Sequence, residues 1–449
     1  MRACWGALVA LALVSPASGQ DVGSFALQAT EGKPDVALQA GAESDVPPRE
    51  PGIFERLGVT GAVRAGYWSS TRNLDAEQHL GAAMLWLKTS RRLSGRVSFL
   101  VEGWTALRGP LEDGEATGEL REAFVDLKFG RLDVRAGRQI IAWGRADGVN
   151  PTDNLSGQDL TLLVPDDADR RLGTTAVRAS YYFGDLSLTG VWLPEFRGHE
   201  FALAAPPPGV SVVRDDERWP GDQWAVRVEQ TGSAVDWSVS YFRGKDLAPD
   251  LAPAGVQTGS QHTSGILLSH HRVRVVGADM TANLGRVGLR AEGAYVATED
   301  AHGVDPFTKN PFVFVVAGAD RTWDGRLNLN IQYLFRYVLD DPAMPAGGSD
   351  AASVVATQQA ILNNQALRAQ HGASFRIACK WLHDTLEAEL AAAAYAGPTG
   401  AALRPKIVYA VTDDWKALVG AEIFRGETTA LFGLLRRNST GYVELRWSF

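Results

Sequence analysis

A chain of 449 residues with 44 basic against 52 acidic side chains, a net charge of −8, lacks the basic excess of a nucleic-acid binder. Mean hydropathy is −0.11, and no run beyond residue 20 reaches the ~18 consecutive apolar residues of a membrane helix. Length alone fits two or three soluble domains, but 47 Gly, 13 Trp and 10 Tyr spread through short alternating runs suit one large β-structure.

Residues 1–19 read as a secretory signal peptide. Arg2 supplies the positive start, Trp5 to Val14 the apolar core, and Ala17-Ser18-Gly19 the small-residue cleavage site. The mature chain then holds one cysteine, Cys379, so no internal disulfide forms; a barrel closed by hydrogen bonds needs none. Residues 20–52 contain Pro34, Pro47, Pro48 and Pro51 and show no periodicity, which predicts a disordered periplasmic leader. Residues 53–449 are predicted to form one barrel.

From Val59 the sequence alternates with period two, the mark of a strand with one apolar face. Val59, Gly61, Val63, Ala65 and Tyr67 share one face against Arg64. Comparable runs follow with Leu85 and Leu87, with Val97 to Val101, with Ala123 to Phe129, and with Leu132 to Ile140. Further runs begin at Thr175, Leu186, Trp224, Val235, Val273, Val287, Phe312 and Leu327. The run Leu327, Leu329, Ile331, Tyr333, Phe335 and Tyr337 against Asn328, Asn330, Gln332 and Arg336 is the clearest. Four more, near 375–381, 386–392, 407–411 and 419–423, precede the last strand. The count is about 18, the even number expected of a bacterial barrel.

The links between runs alternate short and long. That asymmetry fits short periplasmic turns and long extracellular loops, and it sets a membrane barrel ahead of a soluble sandwich or propeller. The longest links are 144–172 and 339–371, long enough to fold back over the mouth of so wide a barrel. The first holds Asp147, Asp153, Asp159, Asp166, Asp167 and Asp169 and reads as a solvated loop, its spacing unlike that of a calcium-binding EF-hand. The second includes 353–370, whose three-to-four spacing of apolar residues predicts a helix of four to five turns. That helix either packs the loop on itself or lids the pore. One of the two links is expected inside the pore, its carboxylates facing lumen arginines.

Charge on a lipid-facing strand surface costs roughly 2–4 kcal/mol for Arg or Lys at midplane, so the polar face is assigned inward. The predicted pore-lining residues are Arg64, Arg96, Arg135, Arg178, Arg227, Arg274, Arg290, Arg336, Arg376 and Arg446 with Glu102, Asp126, Glu229, Glu292, Glu422 and Glu444. Such a lining either braces the wall by ion pairs or selects a charged solute. The signs are nearly balanced, which disfavours a cationic tunnel for a polyanion.

The final run puts Gly441, Val443, Leu445, Trp447 and Phe449 on one face and Thr440, Tyr442, Glu444, Arg446 and Ser448 on the other. It is similar to the closing strand of bacterial outer-membrane β-barrels, which ends in an aromatic residue; that resemblance makes Phe449 and Trp447 the assembly signal. The segment Gly137-Arg138-Gln139-Ile140-Ile141-Ala142-Trp143-Gly144-Arg145, followed by Asn150-Pro151-Thr152-Asp153, resembles outer-membrane porin-like and alginate-export-type families. The resemblance implies a single-chain barrel that moves a solute. An alginate substrate is not carried over, because the lining here is mixed in sign. Arg138 falls on the nominal lipid face of its run, so either a bulge re-aims it or the phase slips there.

The sequence therefore predicts an all-β, antiparallel transmembrane β-barrel of the outer membrane that acts as a porin or export channel for a hydrophilic solute, charged solutes included. A receptor or assembly scaffold with a filled lumen and ligand-binding loops is the other reading. Expected partners are outer-membrane lipid and lipopolysaccharide, the barrel-assembly machinery and a small hydrophilic solute. The sequence holds no Gly-x-Ser-x-Gly, His-Glu-x-x-His or phosphate-loop pattern, so neither an enzyme nor a cofactor is predicted.

Overall fold

The computed structural model describes residues 54, 58–74, 77–109, 114–200, 210–215, 217–232, 234–258, 261–340 and 351–449. The expected signal peptide at 1–19 and leader at 20–52 lie outside them. In chain order the strands begin β1 (Val59–Leu74), β2 (Glu77–Arg92), β3 (Val97–Arg108), β4 (Glu115–Phe129), β5 (Leu132–Gln139), β6 (Thr174–Phe183) and β7 (Leu186–Leu193). Next come β8 (Val210–Arg214), β9 (Gln223–Gln230), β10 (Val235–Lys245), β11 (Asp250–Thr258), β12 (Gln261–Ser269), β13 (Arg272–Leu284) and β14 (Val287–Ala297). The last are β15 (Phe312–Trp323), β16 (Leu327–Val338), β17 (Ala369–Trp381), β18 (Leu386–Ala396), β19 (Gly400–Ala410), β20 (Trp415–Gly426) and β21 (Thr440–Ser448). Among the described residues, the helices α1 (Ala351–Leu362) and α2 (Leu431–Leu434) lie in the links.

Eighteen strands form one antiparallel sheet that closes on itself, β1 pairing with both β2 and β21. Closure removes the free edges that lipid cannot satisfy. The seam runs through the last residue: Gly61 N donates to Phe449 O (2.9 Å) and Phe449 N to Gly61 O (3.0 Å). The Phe449 ring lies tilted against Trp447 (5.1 Å), and Trp447 stacks near Trp415 (6.3 Å), among the rings at the short-turn end. Trp192, Trp224, Tyr295 and Tyr333 point outward toward the long-loop end, and apolar residues such as Leu85, Val125 and Ile331 fill the band between. Two aromatic girdles around an apolar band are the membrane-facing pattern of an outer-membrane barrel.

The remaining strands, β8, β11 and β12, make a separate three-stranded sheet within the links 194–222 and 246–271. Helix α1 ends at Leu362, short of the predicted 370, because the backbone turns left-handed at Asn364 (φ +50°) before β17 begins at Ala369. It packs on this sheet: Val355 and Leu362 are buried with Leu251, Ile266 and Leu268, and Gln359 Oε1 accepts from Leu251 N (2.8 Å).

β16 faces the way the sequence predicts, with Ile331 and Tyr333 outward and Asn330, Gln332, Leu334 and Arg336 inward and buried. Two strands invert the rule that apolar means lipid. In β13, Val273 and Val275 are buried inside, and in β15 so are Phe312, Phe314 and Val316. They pack against Ile141, Trp143, Ala146, Val149 and Leu155 of the link between β5 and β6. An apolar inner face is stable there because a loop, rather than water, covers it.

Candidate functional site: a loop folded into the lumen

The link between β5 and β6, residues 140–173, turns into the barrel and docks on its inner wall. It leaves β5 beside Gly137, whose φ of +128° and close approach to Ala123 O admit no side chain. β4 has a bulge opposite, where the register with β3 slips at Arg121. Arg138 is thereby re-aimed to Glu119 and Glu195, 3.1 Å from each carboxylate. Gln139 is fully buried and donates to Ala176 O (3.0 Å).

The first turn of the loop closes around the Glu292 carboxylate of β14. Arg145 N (2.8 Å), Ala146 N (3.0 Å), Thr152 N (2.8 Å) and Thr152 Oγ1 (2.8 Å) all donate to it. Gly144 permits the approach: φ is +103°, and a Cβ there would lie 2.6 Å from Glu292 Oε1. Gly277 opposite leaves room for Thr152 Cγ2. The Arg145 side chain reaches Asp279 (2.6 Å) and Glu229 (2.5 Å), while Arg227 covers the buried Trp143 ring at 5.7 Å. Asn150 and Pro151 form the buried turn that places Asp153 against Arg171 (2.6 Å).

The loop then crosses to the opposite wall. Asp166 pairs with Lys406 (3.2 Å) and Arg446 (3.0 Å), Asp167 with Arg404, and Asp169 with Arg64 (2.5 Å). Arg170 pairs with Glu422 (2.9 Å), which also holds Arg404 (2.6 Å). Arg121 donates to Ala168 O (2.7 Å) and pairs with Glu102, and the Trp86 ring lies under both Arg64 (4.6 Å) and Arg121 (4.7 Å). Burial raises the Asp166 carboxyl, but Lys406 and Arg446 outweigh it and hold it down at about 2. The solvated-loop expectation for these aspartates is corrected: in-strand arginines draw them onto the wall.

Arg64, Arg135, Arg178, Arg227, Arg290, Arg336, Arg376 and Arg446 face inward, as do Glu102, Asp126, Glu229, Glu292, Glu422 and Glu444. Most are paired: Arg135 with Asp126 (2.7 Å), Arg290 with Asp320 (3.2 Å), Arg376 with Glu389 (2.6 Å) and Arg446 with Glu444 (2.7 Å). Arg336 is buried under the rings of Phe312 and Phe314 and donates to Asn363 O (2.8 Å). Two assignments are corrected. Arg96 is exposed in the turn before β3, where Ser94 Oγ accepts from Arg96 N and Val97 N (3.2 Å each) and ends the ladder. Arg274 is exposed on the outer face, because its neighbours Val273 and Val275 are drawn inside by the loop.

The predicted pore lining omits Arg121, Arg145, Arg170, Arg404 and Lys406, although Arg145 belongs to the porin-like segment and Lys406 lies opposite the apolar run at 407–411. Arg121 is the extra residue of a bulge, and Arg145 and Arg170 lie in a loop without periodicity. Arg404 and Lys406 do alternate along β19 and were within reach of the pattern. Between loop and wall lies a cavity of about 270 Å³ lined by Asp166, Asp167, Asp169, Glu389, Arg404, Lys406 and Tyr442.

Residues 101–396 match the model of a family described as "Protein of unknown function (DUF1302)". The chain belongs to that family. The DUF1302 segment spans β3 to β18 and so contains the in-folded loop and its Glu292 anchor. No curated protein matches the DUF1302 chain. Among solved structures it is similar to Pseudomonas aeruginosa OpdK with vanillate, at 9% identity and TM-score 0.52, over 87% of this chain and 98% of that one. Pseudomonas aeruginosa OpdL is similar at 11% identity and TM-score 0.50, over 87% and 98%. At these identities the likeness establishes the fold, that of an outer-membrane porin barrel.

Proposed function

We propose that this protein is an outer-membrane channel through which small hydrophilic solutes, charged ones included, diffuse passively past the in-folded loop. The observation that carries this reading is the two-sided anchoring of residues 144–171, by Glu292 on one wall and by Arg64, Arg404, Lys406 and Arg446 on the other. A loop needed only at the surface would have no use for charged partners on both walls of the lumen. The inward charges of both signs, among them Arg64, Arg376, Lys406, Arg446, Glu389 and Glu444, form the path, and fixed charges at a narrow point select by sign and size. The low-identity neighbour OpdK was crystallised with vanillate, which places a small aromatic carboxylate among the solutes worth testing here.

A second reading, a filled-lumen receptor or scaffold, draws on the apolar core that the loop forms with β6, β7, β9, β10 and β13 to β16. Solute flux separates the two. Liposomes carrying the purified barrel are loaded isotonically and challenged with small sugars, amino acids and aromatic carboxylates. The channel reading predicts swelling that falls steeply with solute size. Liposomes that stay as tight as protein-free ones, with the barrel folded and inserted, favour the scaffold.

A further inference from the structure

We propose that Arg243 and Arg274 form a binding site, on the membrane-facing wall, for a phosphate group carried by an outer-leaflet lipid. The two residues sit directly opposite each other on β10 and β13, both on the outer face and both exposed. Like charges in that position repel and destabilise a sheet, so their juxtaposition calls for an anion between them. No ion pair or hydrogen bond of either guanidinium occurs among the described residues. The nearest basic neighbour, Arg272, is already matched by Asp222 at 2.6 Å.

Position identifies the anion. The same outward row runs Trp192, Trp224, Arg243, Arg274 and Ala297, within two residues of the strand ends at the long-loop side. The next outward row toward the membrane centre is Val226, Tyr241, Val276 and Tyr295, with the Trp224 and Tyr241 rings 5.1 Å apart. Aromatic side chains of this kind mark the headgroup level of a bilayer. Two guanidiniums level with that belt, above an apolar wall for acyl chains, fit a phosphate whose lipid tails run down the barrel. Arginine forks match phosphate oxygens in pairs, and anionic headgroups attract basic side chains at this depth. The site is on the outer wall and does not depend on whether the lumen conducts.

The test uses the purified barrel in detergent, titrated with bisphosphorylated lipid A and followed by native mass spectrometry. The variants are R243Q, R274Q and the double variant, with R425Q as a control that removes an exposed outward arginine from β20. The proposal predicts about tenfold weaker binding for the double variant, about threefold for each single variant and no change for R425Q. Lipid A stripped of its phosphates should bind the wild-type barrel as weakly as intact lipid A binds the double variant. Heat-modifiable gel mobility confirms that every variant is folded. Unchanged binding by a folded double variant would overturn the proposal, as would equal binding of dephosphorylated lipid. Full displacement of the lipid by millimolar inorganic phosphate would also overturn it, marking a small-anion site instead.

Discussion

Glu292 is 2% exposed, yet its carboxylate receives four hydrogen bonds from one turn of a loop almost 150 residues earlier in the chain. Each buried donor left without its acceptor costs about 1–3 kcal/mol. Glu292→Ala is therefore predicted to free the first turn of the loop while the barrel stays folded. A cysteine placed at position 150, buried in the native protein, should change from slow to fast labelling by a water-soluble reagent. Gly144→Ala should do the same, and the two changes together should cost little more than either alone, since both break one contact. Another residue links the loops to pH. Burial, with His270, Arg171 and Lys309 nearby, pushes the His199 imidazole down to about 3, and its ring accepts from Gln158 N (3.0 Å). The unfolded chain takes up this proton near pH 6.5 and the folded one only near pH 3, so the stability contributed by His199 is lost progressively as pH falls through that window. At pH 5 the loss is about 2 kcal/mol. Protease nicking of the loop around residue 199 should rise between pH 7 and 5, and His199→Gln should flatten the dependence. Asp166 behaves differently. Its lowered value, about 2, keeps its ion pairs intact until the pH falls well below 4, so the 166–170 crossing should hold across the same range. That loop carboxylates meet lumen arginines was legible from the sequence; the contacts of Glu292 and His199 were not, because these two meet the loop only through the closed barrel.

At the scale of the element, the alternating strands were legible wherever water or an ion pair lines the inside. β16 and β21 are the clearest cases, since their inner faces read Asn, Gln, Arg and Glu. The pattern failed in β13 and β15, where loop residues supply an apolar lining and reverse the meaning of a Val or Phe. Arg at position 331, outward and near the middle of β16, should destabilise the barrel by roughly 2–4 kcal/mol. Arg at 275 should disrupt the packing of the in-folded loop instead, because Val275 lies against that core. Urea unfolding in lipid vesicles, with loop labelling as a second readout, distinguishes the two effects. The small sheet β8, β11 and β12 was not legible because β8 joins it from a separate link, in parallel with β12. The closing strand has its own test. Phe449→Asp puts a charge at the seam beside Gly61 and into the aromatic girdle, and should lower the yield of folded, heat-modifiable barrel several-fold.

At the scale of the whole molecule, an 18-stranded barrel is wide enough to hold an aqueous channel unless something narrows it. The loop 140–173 narrows it by spanning from Glu292 on one side to Arg64, Arg404, Lys406 and Arg446 on the other. Removing one partner of a buried ion pair costs roughly 3–5 kcal/mol, but the 166–170 crossing is held by several pairs, so single changes should loosen it without releasing it. The most direct measurement is single-channel current in planar bilayers, comparing the wild-type barrel with a variant in which residues 145–171 are replaced by a short Gly-Ser link. The wild type should give discrete small steps with measurable ion preference. The shortened variant, folded by heat-modifiable mobility, should give steps several-fold larger with that preference diminished. Equal conductance and selectivity in the two proteins, or silence in both, would contradict the account.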